Sequence, residues 1–234
     1  MEVIYLVKIL NFTLTRSENV LPQKRLDAAR KLVLENCDFI LDIGANNGQW
    51  IATVRSHGYN GEAICVEPLE KNFNKLKEGK TQNTIVINCA VGNRNGYIYI
   101  NQASNDGLSS SILELDDYHI NAAPSIKYIG REKVKISKIS KILETDTHKK
   151  IFVKIDTQGY ELEVLKSISK RNFNAIHAFE IETNLVSTYK DATLIEDVIK
   201  FLRNKGYRPL RIENGFGMRN FGQQLQVDVL FVKN

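Results

Sequence analysis

The strongest chemical signal in the chain is Asp42-Ile43-Gly44-Ala45-Asn46-Asn47-Gly48, which joins a β-branched run to a helical pattern. Small residues at such a junction let backbone approach a ligand closely. The N-terminus of the following helix adds unpaired N–H donors under a partial positive charge. A dinucleotide fingerprint would need Gly-x-Gly-x-x-Gly, and Asn46 stands where its second glycine belongs, which argues against a nicotinamide cofactor. Asp42 suits a ligand carrying an ammonium group better than one carrying phosphates. Glu67 lies 19 residues beyond Gly48 at the end of the next strand, where a carboxylate accepts both hydroxyl hydrogens of a ribose. Asp42, Gly44, Ala45, Asn46 and Gly48, with Glu67 at the neighbouring strand end, point to S-adenosylmethionine. Asn88 and Ala90, at the third strand end, are expected to meet the adenine.

Methyl transfer from a sulfonium needs a nucleophilic oxygen placed in line behind the methyl group, with water excluded. A sugar hydroxyl is a poor nucleophile, so a carboxylate or a metal would help by taking or acidifying its proton. Asp156 ends the fourth strand on the edge that carries Asp42 and Glu67, and is the first candidate. Glu180 shares one face of the fifth strand with Glu182, and Asn184 follows. With Asp156 these form an oxygen-rich set of the kind that takes Mg²⁺, although no spacing requires a metal and none is assigned ligands. His119, beside Asp116, Asp117 and Tyr118 in a polar insert, is the third catalytic candidate. Ser104 to Ser111 reads as a cofactor-covering or acceptor-gating loop, and Glu161 as a helix-dipole partner or hydrogen-bonding support.

Short β-branched runs alternating with helical patterns must position these groups, the signature of a parallel α/β sheet. Strands are expected at 39–44, 63–67, 84–91, 151–156 and 175–182, with helices at 24–36, 48–57, 70–78, 137–146, 159–169 and 192–205. Short strands are expected at 97–100 and 134–136, flanking an irregular segment over 102–131. A final pair, 207–212 and 226–232, gives an antiparallel edge and a best count of seven strands.

Several linked segments resemble the FkbM family of S-adenosylmethionine-dependent methyltransferases: 39–48, Val66-Glu67-Pro68, Asn88-Cys89-Ala90-Val91-Gly92 and Val227–Val232. The most diagnostic is 153–165, where the family favours Lys-Ile-Asp-x-Glu-Gly-x-Glu before a leucine-bearing helix; here Gln158 replaces the Glu. The resemblance covers roughly 38–233. It implies a Rossmann-like seven-stranded methyltransferase sheet with helices on both faces, and O-methylation of a hydroxyl, often on a sugar or polyketide.

The 234 residues, 43% apolar and 25% charged with four prolines, suit one compact domain over 38–234 preceded by a helical extension, 1–37. Three cysteines are an odd number, so a disulfide framework is not expected. No run reaches the roughly 18 apolar residues of a membrane span, and Lys8 interrupts the only leader-like stretch, which makes a cytoplasmic location the expectation. The net charge of +5 resides in 131–154, with eight basic residues against three acidic; the rest is neutral. A diffuse nucleic-acid-coating charge is thereby disfavoured, while an anionic small-molecule or glycan acceptor fits the local strip. The competing readings are a nucleic-acid methyltransferase, whose Asn/Asp-Pro-Pro-aromatic motif is absent, and a catalytically silent cofactor-binding module. Oligomeric state has no sequence signal.

Overall fold

The computed structural model describes residues 28–143, 150–218 and 222–234. Helix α1 (Ala28–Glu35) leads into β1 (Phe39–Ile43), α2 (Gln49–Ser56), β2 (Glu62–Val66), α3 (Glu70–Glu78) and β3 (Thr84–Ile87). Next come β4 (Ala90–Val91), β5 (Gly96–Ala103), α4 (Asp117–Ala122), β6 (Tyr128–Ser137) and α5 (Ile139–Ile142). The third stretch holds β7 (Ile151–Ile155), α6 (Glu161–Lys166), α7 (Lys170–Ala175), β8 (Ile176–Asn184) and α8 (Ile195–Arg203). Strands β9 (Tyr207–Asn214), β10 (Gly217–Met218), β11 (Gln223–Gln224) and β12 (Gln226–Lys233) follow.

The main sheet has seven strands in the order β3-β2-β1-β7-β8-β12-β9. The first five run parallel, and β12 enters antiparallel between β8 and β9. This is the expected Rossmann-like α/β sheet with an antiparallel edge. Strands covered on both faces must be apolar on both, so the runs read as nearly continuous hydrophobic segments. Leu41, Val153 and Phe179 join one core with Val164, Val198 and Leu202 from α6 and α8. Ile40, Phe152 and Ala178 join the other with Leu34, Ile51 and Leu76 from α1 to α3.

On that second face the chemistry changes towards the carboxyl ends of the strands. Two residues past Ile40, Phe152 and Ala178 come Asp42, Lys154 and Glu180, which are register partners across β1, β7 and β8. Glu182, Asp228 and Glu213 form the next such row, across β8, β12 and β9. An apolar layer therefore ends in a charged one.

Some expectations change. The strand expected over 84–91 divides, and β4 leaves the main sheet to pair parallel with β6. Strands β5 and β6 pair antiparallel, so the irregular segment expected over 102–131 begins and ends as strand and carries α4 between. Polar and aromatic residues on its solvent side hid the alternation. The helix expected over 137–146 is a single turn, α5, with 144–146 outside the described residues. Helix α7 was not anticipated. Of the proposed N-terminal extension, 1–27 lies outside the described residues; α1 packs into the second core through Val33 and Leu34. Among the described residues no helix is long and apolar enough to cross a membrane.

Candidate functional site

The turn after β1 is shaped by its backbone. Gly44 has φ +79, and a Cβ there would lie 1.9 Å from the Asp156 carbonyl oxygen, so β1 and β7 end in contact that only glycine permits. Gly44 and Ala45 donate to the Val66 carbonyl at 3.0 and 3.1 Å. Asn46 is left-handed at φ 48, and its N–H donates to Glu67 Oε2 at 2.8 Å. Leu69 N–H donates to Glu67 Oε1 at 2.9 Å. Burial pushes the Glu67 carboxyl up to about 7 against the pull of those two N–H groups. Gly48, φ +88, occupies the N-cap of α2.

A cavity of about 90 Å³ opens beside Glu67, with Val66, Cys89, Ala90 and Ile100 among its walls. Gly107, Leu108, Ser110 and Ser111 close it from the polar loop after β5. The loop is pinned there: the Asp106 carbonyl accepts from Asn46 Nδ2 at 3.2 Å and Asn72 Nδ2 at 3.1 Å. Ser111 Oγ donates to the Gln158 carbonyl at 2.7 Å.

A second cavity of about 460 Å³ lies against the charged end of the other sheet face and shares Gly44, Asn46, Leu108 and Asp156 with the first. Asp42, Asp156, Glu180, Glu182, Glu213 and Asp228 line it against two cations, Lys154 and Arg30. Lys154 Nζ donates to Asp156 Oδ2 at 3.1 Å. Gln158 Nε2 donates to Asp156 Oδ1 at 2.7 Å and to Glu182 Oε2 at 2.5 Å, while Tyr189 Oη donates to Gln158 Oε1 at 2.5 Å. Burial works against the Asp156 charge, but Lys154 and the Gln158 amide outweigh it and hold the carboxyl below its ordinary value. Burial and the neighbouring Asp156 push Glu182 the other way, so the pair shares one negative charge. Burial, with further repulsion from Asp156 and Glu180 only partly offset by Lys154, pushes Asp42 up to about 7. Asp42 Oδ2 is buried without a hydrogen-bond partner.

Asp42, Gly44, Ala45, Asn46, Glu67 and Ala90 all lie on the walls of these two cavities. Asn88 instead is exposed, and its side chain donates to the Glu67 and Pro68 carbonyls, bracing the backbone that presents Glu67. Asp156 stands where the cavities meet. Glu180 lines the larger one, yet both its oxygens are taken, by Arg30 Nε and by Trp50 Nε1 at 3.0 Å, so it fastens α1 and α2 to the sheet. His119 is drawn away: it is buried between Tyr189 and Phe216 with neither ring nitrogen hydrogen-bonded, and it lines neither cavity. Burial holds it below its ordinary pKa, which keeps it neutral. Glu161 Oε1 accepts from Thr157 N–H and Oγ1 and from Gly159 N–H, ordering the loop that carries Gln158. Among the described residues no three His, Cys, Asp or Glu side chains converge as metal ligands, and the Lys154 ammonium sits amid the carboxylates instead.

Lys154, Gln158 and Tyr189 were not singled out as site residues. A lysine inside Ile151-Phe152-Val153-Lys154-Ile155 signals a partnered charge; its direct partner, Asp156, is two residues on, while the carboxylates around it, Glu180, Glu182 and Asp228, come from β8 and β12. Tyr189 carries no local signal at all.

The family model for the methyltransferase FkbM domain matches residues 42–209, from β1 into β9. A methyltransferase FkbM from Methylobacillus flagellatus KT superposes with a TM-score of 0.52 at 14% identity, covering 83% of this chain and 44% of its own. The chain thus spans less than half that protein's length. TrmK of M. capricolum, solved with S-adenosyl-homocysteine, gives 0.48 at 12% identity and covers 90% of this chain and 70% of its own. The putative RNA methyltransferase PH1948 from Pyrococcus horikoshii gives 0.46 at 11%, covering 88% and 80%. At 14% identity the likeness to the Methylobacillus protein concerns the fold alone. No curated protein matches the sequence. The family model takes in every residue lining the smaller cavity and more than half of the chain, and the chain belongs to the methyltransferase FkbM family.

Proposed function

We propose that the protein transfers the methyl group of S-adenosylmethionine to a hydroxyl of a small-molecule or glycan acceptor. The observation that carries this reading is the position of Asp156, ionised at the junction of the Glu67 cavity and the larger acidic one. The residues present fit the cofactor. Each Glu67 oxygen uses one lone pair on a backbone N–H and keeps another for a ribose hydroxyl. The partnerless Asp42 Oδ2 matches an ammonium group. Ala90 and Cys89 offer an apolar wall to a flat base. When bound, the cofactor supplies an electrophilic methyl group.

The chain's own part is placement and proton handling. Lys154 and Gln158 fix both Asp156 oxygens in orientation, and the remaining lone pairs accept from an acceptor hydroxyl. As that oxygen is alkylated its proton becomes strongly acidic, so a carboxylate of lowered basicity can still take it. The loop pinned through Asp106 and Ser111 covers the junction and keeps water out. Six carboxylates against two cations favour a neutral or cationic acceptor in the larger cavity. Of the described cations in the basic strip only Lys154 lines either cavity, and it is held by Asp156, so the strip gives little support there to an anionic acceptor.

Calorimetric titration of S-adenosylhomocysteine and of NAD, followed by radiolabelled methyl transfer to glycan, small-hydroxyl and RNA panels, tests the proposal. Binding of S-adenosylhomocysteine and label on a hydroxyl acceptor are expected. Binding of NAD alone, or label on RNA alone, would overturn it.

A further inference from the structure

The small sheet presents a second surface, facing away from both cavities. Ile98, Ile100, Val134 and Ile136 turn one face of β5 and β6 inward, three of them into a core with Leu69 and Ala90 and Ile98 against it. The opposite face places Tyr97 across from Lys135 and Tyr99 across from Lys133, with Arg131 next along β6. Tyr97 is 67% exposed, Tyr99 50%, and Ile129 at the bulge 71%. The Lys133 ammonium lies 5.3 Å from the Tyr97 ring centroid and the Arg131 guanidinium 5.5 Å from that of Tyr99. The single carboxylate of the two strands, Glu132, turns to the other side, where it accepts from Glu70 N–H and Gln102 Nε2. None of the three cations is in an ion pair among the described residues.

We propose that this aromatic and cationic face of β5 and β6 docks reversibly on an anionic lipid surface. Three exposed cations without an ion pair among the described residues suit an anionic partner, and a second copy of the same face would repel. Exposed tyrosines and an isoleucine beside Lys and Arg are the amphipathic mixture that settles at a headgroup boundary. Stacking of nucleic-acid bases would compete with Lys133 and Arg131, which each lie over one face of a tyrosine. Among the described residues no helix is long and apolar enough to span a membrane, and the face would bind through its charge, so the association is peripheral and salt-sensitive. It stands apart from the choice of acceptor.

Co-sedimentation of the full chain with phosphatidylcholine vesicles, and with vesicles that also contain phosphatidylserine, tests it. Binding is expected only to the anionic vesicles, and to fall steeply with salt. Lys133→Gln with Lys135→Gln should weaken it about fivefold for each cation removed, the equivalent of about 1 kcal/mol per near-surface charge. Both positions are exposed, so folding and S-adenosylhomocysteine binding should be unchanged and serve as controls. Equal sedimentation with neutral vesicles, indifference to the double substitution, or retention of single-stranded RNA in place of vesicles would each overturn the proposal.

Discussion

The two cavities that meet at Gly44 and Asp156 are built on opposite principles. The smaller sets an apolar wall of Ile43, Val66, Cys89, Ala90 and Ile100 beside Glu67, whose oxygens are each tied to a backbone N–H, and apart from the shared Asp156 no other carboxylate lines it. The larger is walled by charge, with six carboxylates around Lys154 and Arg30. They sit at the ends of the same strands, and the difference follows from alternation. Ile43 and Val66 line the first, while Asp42, one residue earlier in β1, lines the second. A strand can thus serve shape-selective binding on one side and proton chemistry on the other. Asp156 is where the two meet.

The sharpest way to break this arrangement is at the meeting point. Gly44→Ala puts a methyl group 1.9 Å from the Asp156 carbonyl oxygen and should destabilise the fold by more than about 4 kcal/mol in thermal denaturation. Gly58→Ala is the control: φ is +97 but nothing lies within 4 Å, so only left-handed strain of about 1–2 kcal/mol is expected. Similar melting of the two variants would remove the special status of Gly44. Loss of binding in any Gly44 variant then reports folding before it reports cofactor contact.

Asp156→Asn keeps the size of the junction residue and removes its charge. Turnover should drop by about 100-fold or more while S-adenosylhomocysteine affinity stays within a few-fold. Unchanged turnover would remove Asp156 from the reaction.

Glu67→Gln addresses the smaller cavity alone and should weaken S-adenosylhomocysteine by about tenfold, the loss of a charge-assisted hydrogen bond. In the unsubstituted protein the ionised carboxylate is the binding form and its free pKa is about 7. Affinity should therefore be full above pH 7 and fall as pH drops below it. The variant should lose most of that slope, and any remainder reports Asp42, which titrates in the same range. An identical slope in both proteins would show that Glu67 is not the titrating contact.

The smallest effect belongs to a residue outside both cavities. His119→Phe removes a buried ring whose nitrogens have no partner and should leave turnover unchanged and stability within about 1 kcal/mol. A large fall in turnover would bring His119 back to the acceptor.

Much of this was legible in the chain. The apolar runs ending in Asp42, Glu67 and Asp156 located three strand ends, because a parallel sheet buried on both faces needs uninterrupted hydrophobic residues and puts its ligands at their carboxyl ends. The polar loop from Ser104 to Ser111 was recognisable by composition. The strands flanking it extend further than their sequence pattern suggests, because their outer face carries tyrosines and cations that blur the apolar–polar alternation. Glu180 and His119 carry reactive side chains, but what surrounds them depends on α1, α2 and the segment around Phe216, distant in sequence.

The sequence by itself determined the sheet, the Gly44 turn and the carboxylate at its neighbouring strand end, since each rests on local periodicity or on the conformational freedom of one residue. Only the tertiary structure decided which carboxylates are charged and which are engaged. Lys154 reaches Asp156, Gln158 bridges Asp156 and Glu182, and Arg30 with Trp50 occupies Glu180. Ionisation in a buried cluster is set by the sum of desolvation and neighbouring charges; Lys154 and Gln158 flank Asp156 in sequence, but Glu182, Arg30 and Trp50 come from separate strands and helices that only folding brings within a few ångströms.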